Sequence, residues 1–445
     1  MRPDVHYSDG RLVRASDFRR SIERLFSLRH PRAQTRLYFT DIVGAEACER
    51  ARVGRCDLSQ GIVTDDTAGT IRVHLRTPDP SFLSDLANRP IPPIPPGTPF
   101  SAIGFRPIPG TGPYKIASAN TREIRYVRNP YFREWSHAAQ PDGNPDQIVT
   151  RFGLSPAAEV RAVEKGRADY VADPIPTKML TALTASTPQQ LHQATIPTTA
   201  FYALNTRIPP FDDVRVRRAL NFAVDRRLLV RLYGGPDQAT PTCQILPPGI
   251  PGYRRDCPYT RDPRSDGRWT APDLAKAERL VAASGTRGTV VRVWDSSDAG
   301  NPGVDRYLAL VLRRLGYRAS VRLVPHDAFF ARHPRLFQHM QLKLNAYGDT
   351  SYGYFAAWFS CQGQYDQAWF CDRRVASDNT YAASLNFTNP RAAQRVWATM
   401  DRQLVDEAAW LPTVHPRGVD FVSARVRNYQ FQPYSGVIAD QLWLR

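Results

Sequence analysis

Residues 288–324 run strand, helix, strand with almost no linker, and that spacing narrows the folds open to this chain more than any other feature. "GTVVRVW" (288–294) is crowded with β-branched residues and reads as a strand. A helix over 304–315 follows and stops at Gly316, and "YRASVRLV" (317–324) is the next strand. A unit of this kind joins two parallel strands by a right-handed crossover, so the second half of the chain must contain an open α/β sheet. A further helix precedes it, with Pro272 near its start and Gly285 at its end. The second half therefore carries a lobe of its own.

At 445 residues the chain is too long for one ordinary core, and two or more lobes are expected. In the first half, "DFRRSIERLFSL" puts Phe18, Ile22, Leu25 and Phe26 on one helical face, and Ile71, Val73 and Leu75 alternate as a half-buried strand. Between Asp212 and Tyr233, residues Val216, Leu220, Ala223 and Val224 form another helical face, with Asp212 or Asp213 as its cap. No internal repeat or low-complexity linker interrupts the chain. No apolar run is long enough to span a bilayer, and the residues after Met1 lack the apolar stretch of a signal peptide.

The formal charge is +17, carried by 54 arginines and only five lysines. A nucleic-acid footprint would cluster these cations with aromatics. They are scattered instead, and the densest stretch, Arg215 to Arg231, reads as the solvated face of a helix. Nucleic acid is not an expected partner. The six cysteines fall into close pairs, Cys48/Cys56, Cys243/Cys257 and Cys361/Cys371, in short loops. Three local disulfides and an oxidising compartment follow. Zinc would need tighter Cys spacings with further ligands nearby. His326, His333 and His339 suit no single helix face, so no metal is assigned.

"PGTGPYKI" (109–116) has the look of a phosphate loop. Its approach is proline-rich, Pro113 removes an N–H from inside it, and the residues after it alternate as strands. It reads as a tight turn whose glycines supply positive φ. No G-x-S-x-G elbow and no H-E-x-x-H occur, so no enzyme chemistry has residues to rest on.

"GTGPYKI" followed by "VRNPYF", then "FYALNTRIPPFDDVRVRRALNFAVDR" (201–226), resembles the family 5 extracellular solute-binding proteins of ABC importers. The opening "RPDVHYSDGRLVRASDFRRSIERL" and the ending "LPTVHPRGVDFVSARVRNYQFQPYSGVIADQLWLR" extend the resemblance over essentially the whole chain. It implies an α/β, two-lobed periplasmic-binding-protein-like fold (type II, the large cluster C type) without enzyme activity or cofactor. Residues 1–198 plus 415–445 would form the first lobe and 199–414 the second, closing on a ligand by hinge bending. Family members carry a signal peptide and a further segment ahead of the opening stretch, which Met1 almost enters. The first lobe is therefore expected to be N-terminally incomplete, and this chain to bind ligand weakly or not at all by itself.

The implied function is capture of a peptide-like or other small polar solute for a permease. The protein would be monomeric and extracytoplasmic, with membrane association only through a lipid anchor on the missing N-terminal segment. A ligand-sensing module of a larger regulator and a truncated, non-binding remnant are the alternatives. "NAYGDTSYGYFAAWFSC" (345–361) resembles the segment in which peptide-binding members pair an Asp with the ligand's ammonium group, a role carried to Asp349; a turn-capping Asp is the plain alternative. The family's Pro is absent there, replaced by Ser351-Tyr-Gly-Tyr354. Trp294, ending a strand of the second lobe, stands where a cleft wall would lie, with core packing as its alternative. Tyr347, Tyr352 and Trp358 complete the candidate ligand-binding set.

Overall fold

Apolar spacing in the first helix sets the first core. In α1 (Ala15–Ser27), Ile22 and Phe26 pack with Phe39, Ile42, Leu58 and Ile62, while Phe18 and Leu25 lie half-buried against them. Asp17, buried in the first turn, accepts from the Arg14 N–H at 3.0 Å and the Tyr7 hydroxyl at 2.9 Å. The computed structural model describes residues 1–28, 39–79, 82–88, 91–297, 300–325, 339–345, 350–361, 363, 366–433 and 436–445. The chain divides into two units, Met1–Gln190 with Phe421–Arg445, and Leu191–Asp420.

The first unit continues with α2 (Ala45–Arg50), the antiparallel pair β1 (Ile62–Asp65) and β2 (Thr70–Val73), and α3 (Phe82–Asn88). An antiparallel meander follows: β3 (Tyr114–Ala119), β4 (Glu123–Arg128) and β5 (Gln147–Arg151). The loop before β3 is a turn, as its sequence implies, but Gly110 and Gly112 are not among the positive-φ residues. It is held through its carbonyls instead. Gly110 O accepts from Ser8 N, Gly112 O from Asn129 Nδ2 and Pro113 O from Asn129 N, at 2.8–2.9 Å. A loop tied by its acceptors is the reverse of an anion cradle, which presents donors. Helices α4 (Pro156–Glu164) and α5 (Thr177–Ser186) end this part.

The second unit begins with β6 (Leu191–Thr195) and β7 (Thr198–Leu204), the latter buried along its whole length. The single helical face expected between Asp212 and Tyr233 is broken into α6 (Val214–Ala223) and α7 (Arg226–Leu232). Val224 is extended, and Asp225 caps the new helix by accepting from Arg227 N and Leu228 N. Strand β8 (Ala239–Pro241) and α8 (Leu274–Ser284) lead into β9 (Val290–Ser296), α9 (Pro302–Arg314) and β10 (Arg318–Val324). Then come β11 (His339–Asn345), α10 (Ser351–Phe359), α11 (Arg373–Thr388), α12 (Pro390–Glu407) and β12 (Trp410–Phe421). Seven strands form the sheet among the described residues, in the order β10-β9-β11-β7-β12-β6, with β8 on β12. β9 and β10 are parallel, as the crossover requires. Short pairs β13 (Val426–Arg427) with β16 (Trp443–Leu444), and β14 (Phe431–Gln432) with β15 (Gly436–Val437), return to the first unit.

Two arginines of the stretch read as a solvated face are buried. Arg217 donates to Glu407 O from Nε and Nη2 and to Phe211 O from Nη1, at 2.8–3.0 Å. Arg226, 0% exposed, donates to Thr242 O at 2.6 Å and Asn221 O at 3.0 Å. The planar guanidinium satisfies several carbonyls at once, which lets Arg226 enter the core with no carboxylate paired to it among the described residues, while Arg217 also has Glu407 Oε2 at 3.9 Å. Burial lowers the Arg226 pKa to about 10, which leaves it charged at neutral pH. Disulfides close Cys48–Cys56, Cys243–Cys257 and Cys361–Cys371. No helix among the described residues is long and apolar enough to cross a membrane.

Candidate ligand-binding site

Three neighbouring strands of the second unit end on one edge of its sheet. β10 runs parallel to β9, with Val290 beside Arg318 and Ser296 beside Val324. β11 is parallel to β9 as well, with Met340 beside Trp294. Open α/β sheets bind ligands in the crevice outside the carboxyl ends of their parallel strands. The edge formed by the ends of β9, β10 and β11 is therefore the place to look.

Alternation on β9 sends Val291, Val293 and Asp295 into the core, and leaves Trp294 on the opposite face, half-buried. Its register partner on β10 is Arg322, which is exposed. This aromatic beside a guanidinium is the edge's most ligand-like pair among the described side chains, because it offers stacking area and a fixed positive charge. Beyond Trp294 the strand turns into α9. Asn301 caps that helix through its Oδ1, which accepts from Val304 N. Pro302 fits the first turn, where its missing N–H is not needed.

Tyr352 and Trp358 lie on α10, capped by the Thr350 hydroxyl, which accepts from Gly353 N at 3.3 Å. Tyr352 is half-buried, and its carbonyl accepts from Asn379 Nδ2 at 2.8 Å. Trp358 is 7% exposed and meets Phe201 edge-on at 6.4 Å, within an aromatic cluster that includes Phe359 and Trp410. The structure thus puts Trp294 at the strand edge and Trp358 in packing. Asp349 and Tyr347 lie outside the described residues, as do His326 and His333. Among the described residues no group of three or more His, Cys, Asp or Glu is placed to hold a metal. In the first unit, a groove of about 420 Å³ lined by Glu164, Thr187, Gln190, Ser423 and Arg425 contains none of the candidates.

The sequence did not single out the buried polar groups of the second unit. Asp401 accepts from Ile245 N, Leu246 N and Gln244 Nε2 at 2.9–3.1 Å, and burial raises its carboxyl to about 6. His415, also buried, contacts Thr199 Oγ1 at 3.1 Å, and burial lowers it to about 3. Asp366 accepts from Ala368 N at 3.0 Å and is pushed by burial to about 7. Asp401 left a trace in the sequence, since it shares a helical face with Trp397 and Leu404.

Residues 1–366 match the family model described as bacterial extracellular solute-binding proteins, family 5 Middle. A probable di/tripeptide-binding protein 5 of Pseudomonas aeruginosa is 26% identical over 354 residues, covering 76% of this chain and 62% of that protein. The match thus spans less than two thirds of that relative's length. A glutathione-binding protein, GsiB, of Escherichia coli is 23% identical over 396 residues, covering 82% of this chain and 71% of its own. Among solved structures, a clavulanic acid biosynthesis oligopeptide binding protein 2 superposes with a TM-score of 0.81 at 21% identity, over 100% of this chain and 82% of the other. That likeness carries the two-lobed α/β fold.

Proposed function

Because the chain belongs to the family 5 bacterial extracellular solute-binding proteins, we propose that it is the substrate-binding component of an ABC importer, capturing a peptide-like or other small polar solute and passing it to a permease as a monomer. The observation that carries this reading is the family match over residues 1–366, which runs through both units and includes every strand of the candidate edge. Relatives named for di/tripeptides and for glutathione favour short peptides as the ligand class.

Within this reading Asp349 pairs with the ligand's ammonium group, and Trp294, with Tyr347 and Tyr352, supplies aromatic wall. Trp358, edge-on to Phe201 and 7% exposed, completes the set. Removing one partner of a desolvated charge pair costs about 2–5 kcal/mol. Truncating a stacking aromatic costs less.

Isothermal titration against a dipeptide, a tripeptide, glutathione and an N-acetylated tripeptide tests the proposal. Free-amino peptides are expected to bind and the acetylated one to bind at least tenfold more weakly. Asp349→Ala should weaken the free-amino peptides by about 2–5 kcal/mol. Equal binding of the acetylated and free tripeptides, unchanged in Asp349→Ala, would remove the ammonium anchor. Binding of another small polar solute by a chain that binds none of the four would overturn the peptide class.

A further inference from the structure

Between β8 and α8 the chain runs through residues 242–273 without helix or strand. Cys243, Gln244, Ile245, Leu246 and Ile250 in this stretch are nevertheless at most 3% exposed. Buried backbone outside a ladder needs other partners, and Asp401 of α12 supplies them. Its Oδ1 accepts from Ile245 N at 3.1 Å and Leu246 N at 2.9 Å, and its Oδ2 from Gln244 Nε2 at 2.9 Å. Gln244 Oε1 accepts in turn from Asp256 N at 2.8 Å, and Cys243–Cys257 closes the same loop. One limb of the loop is thus fastened to the carboxylate directly and the other through Gln244.

The carbonyls of this loop hold α10. Ile245 O accepts from the Tyr354 hydroxyl at 2.8 Å and from Thr199 Oγ1 of β7 at 2.6 Å, and Pro251 O accepts from Ser351 Oγ. Ser351 and Tyr354, 0% and 1% exposed, stand three residues apart and share one face of the helix. Tyr352 lies about 100° round from Ser351 and is half-buried. A second tie reaches it from the same side of α12. Trp397, one turn before Asp401, donates from Nε1 to Asn379 Oδ1 at 3.0 Å, and Asn379 Nδ2 donates to Tyr352 O at 2.8 Å. Gly252 of the loop is set so close to Trp397 that a Cβ there would stand 2.8 Å from the Trp397 Cβ.

With nine residues, α10 is too short to persist as a helix by its own bonds. Its last turn is fixed by aromatic packing, Phe359 meeting Trp410 at 4.7 Å and Phe201 at 6.2 Å. Its first turn depends on the loop and on Asn379. We propose that Asp401 is a positioning residue for ligand binding, which gathers the 243–257 loop against α10 and so fixes the first turn of that helix and Tyr352 within it. The inference rests on the reading of Tyr352 as aromatic wall.

Amide hydrogen exchange of the ligand-free chain at pH 7.5, where Asp401 is ionised, compares Asp401→Asn, Tyr354→Phe and Tyr259→Phe with the wild type. Asp401→Asn turns an amide NH2 toward N–H donors. Tyr354→Phe keeps the ring, removes only the tie to Ile245 O, and serves where Asp401→Asn does not fold. Tyr259→Phe is the matched control, because its buried hydroxyl also donates at 2.8 Å, but to Val405 O of α12. Exchange over 351–359 should quicken about three- to tenfold in Tyr354→Phe and at least as much in Asp401→Asn, with Tyr259→Phe like the wild type. The free-amino tripeptide should bind more weakly by a similar factor in the first two variants only. Unchanged exchange over 351–359 in Tyr354→Phe and Asp401→Asn would overturn the proposal, and so would unchanged tripeptide affinity in variants whose α10 has loosened. A chain that takes another small polar solute and no peptide defeats the peptide reading alone, since the exchange decides the positioning role without ligand.

Discussion

His415 shows how a single buried side chain sets a pH limit. Thr199 Oγ1 donates to Ile245 O at 2.6 Å, so its contact with His415 at 3.1 Å makes Nδ1 the donor and leaves Nε2 as the bare base. Nε2 is buried without a hydrogen-bond partner, and protonating it would place an unpaired charge in the core. The native value of about 3 lies far below the ordinary histidine value of about 6.5. Below pH 6.5 the unfolded chain takes a proton that the native state refuses. Stability is thus full above that pH and is lost as pH falls toward 3. Asp401 acts in the opposite sense, since its raised carboxyl keeps a proton in the native state from about pH 4 to about 6. His415→Leu should remove the acid-side loss, about 2–3 kcal/mol between pH 6.5 and 4.5 relative to the wild type. Urea midpoints at those two pH values measure it. A pH dependence equal to that of the wild type would mean that His415 is already charged in the fold.

At the scale of elements, helices form where capping chemistry allows, and the break between α6 and α7 is the clearest case. Asp225 accepts from Arg227 N at 2.9 Å and Leu228 N at 3.1 Å, satisfying two orphan donors of α7. Asp225→Ala should cost about 1 kcal/mol of stability, the typical worth of an N-cap, and Asp225→Ser should recover most of it. A loss below a few tenths of a kcal/mol for the alanine variant would show that packing alone holds the break. The cap was legible as Asp212 or Asp213, because a helix face begins directly after them, and Asp213 is the one that accepts from Arg215 N. Asp225 was not, because Val216, Leu220, Ala223 and Val224 keep helical spacing across the break and an apolar pattern does not register a backbone turn. The same limit hid Arg217 and Arg226, whose charge says solvent while their geometry satisfies core carbonyls. The disulfides were legible because short loops between paired cysteines leave few other partners. The β9–α9–β10 crossover was legible because a helix between two strands at this spacing returns the chain to pair in parallel.

For the whole molecule, the two-unit α/β architecture could be read from the chain, whereas the candidate edge could be read only in part. That Trp294 lies near the end of a strand was legible in the sequence, but that Arg322 stands beside it, 28 residues further along, needed the register of the sheet. The charge of +17 is a property of the whole chain, and it decides how the fold answers to salt. Two kinds of interaction compete. Ion pairs such as Arg11–Asp9, Arg215–Asp213 and Arg425–Asp169 close at 2.6 Å, far inside any Debye length, so moderate salt weakens them little. They are also largely solvent-facing, and exposed pairs contribute about 0–1 kcal/mol each. Repulsion among the excess arginines acts over longer distances. It is removed as the Debye length shrinks from about 30 Å at 0.01 M to about 8 Å at 0.15 M. Salt therefore strips away more repulsion than attraction, and the folded chain, which concentrates the charge, gains relative to the unfolded one. Raising NaCl from 10 to 150 mM should increase the Tm by a few degrees, since about 1 kcal/mol moves a domain of 150–250 residues by roughly 2–4 °C. Differential scanning calorimetry at constant pH measures the shift. A Tm that falls over this range would mean that the close ion pairs outweigh the net charge.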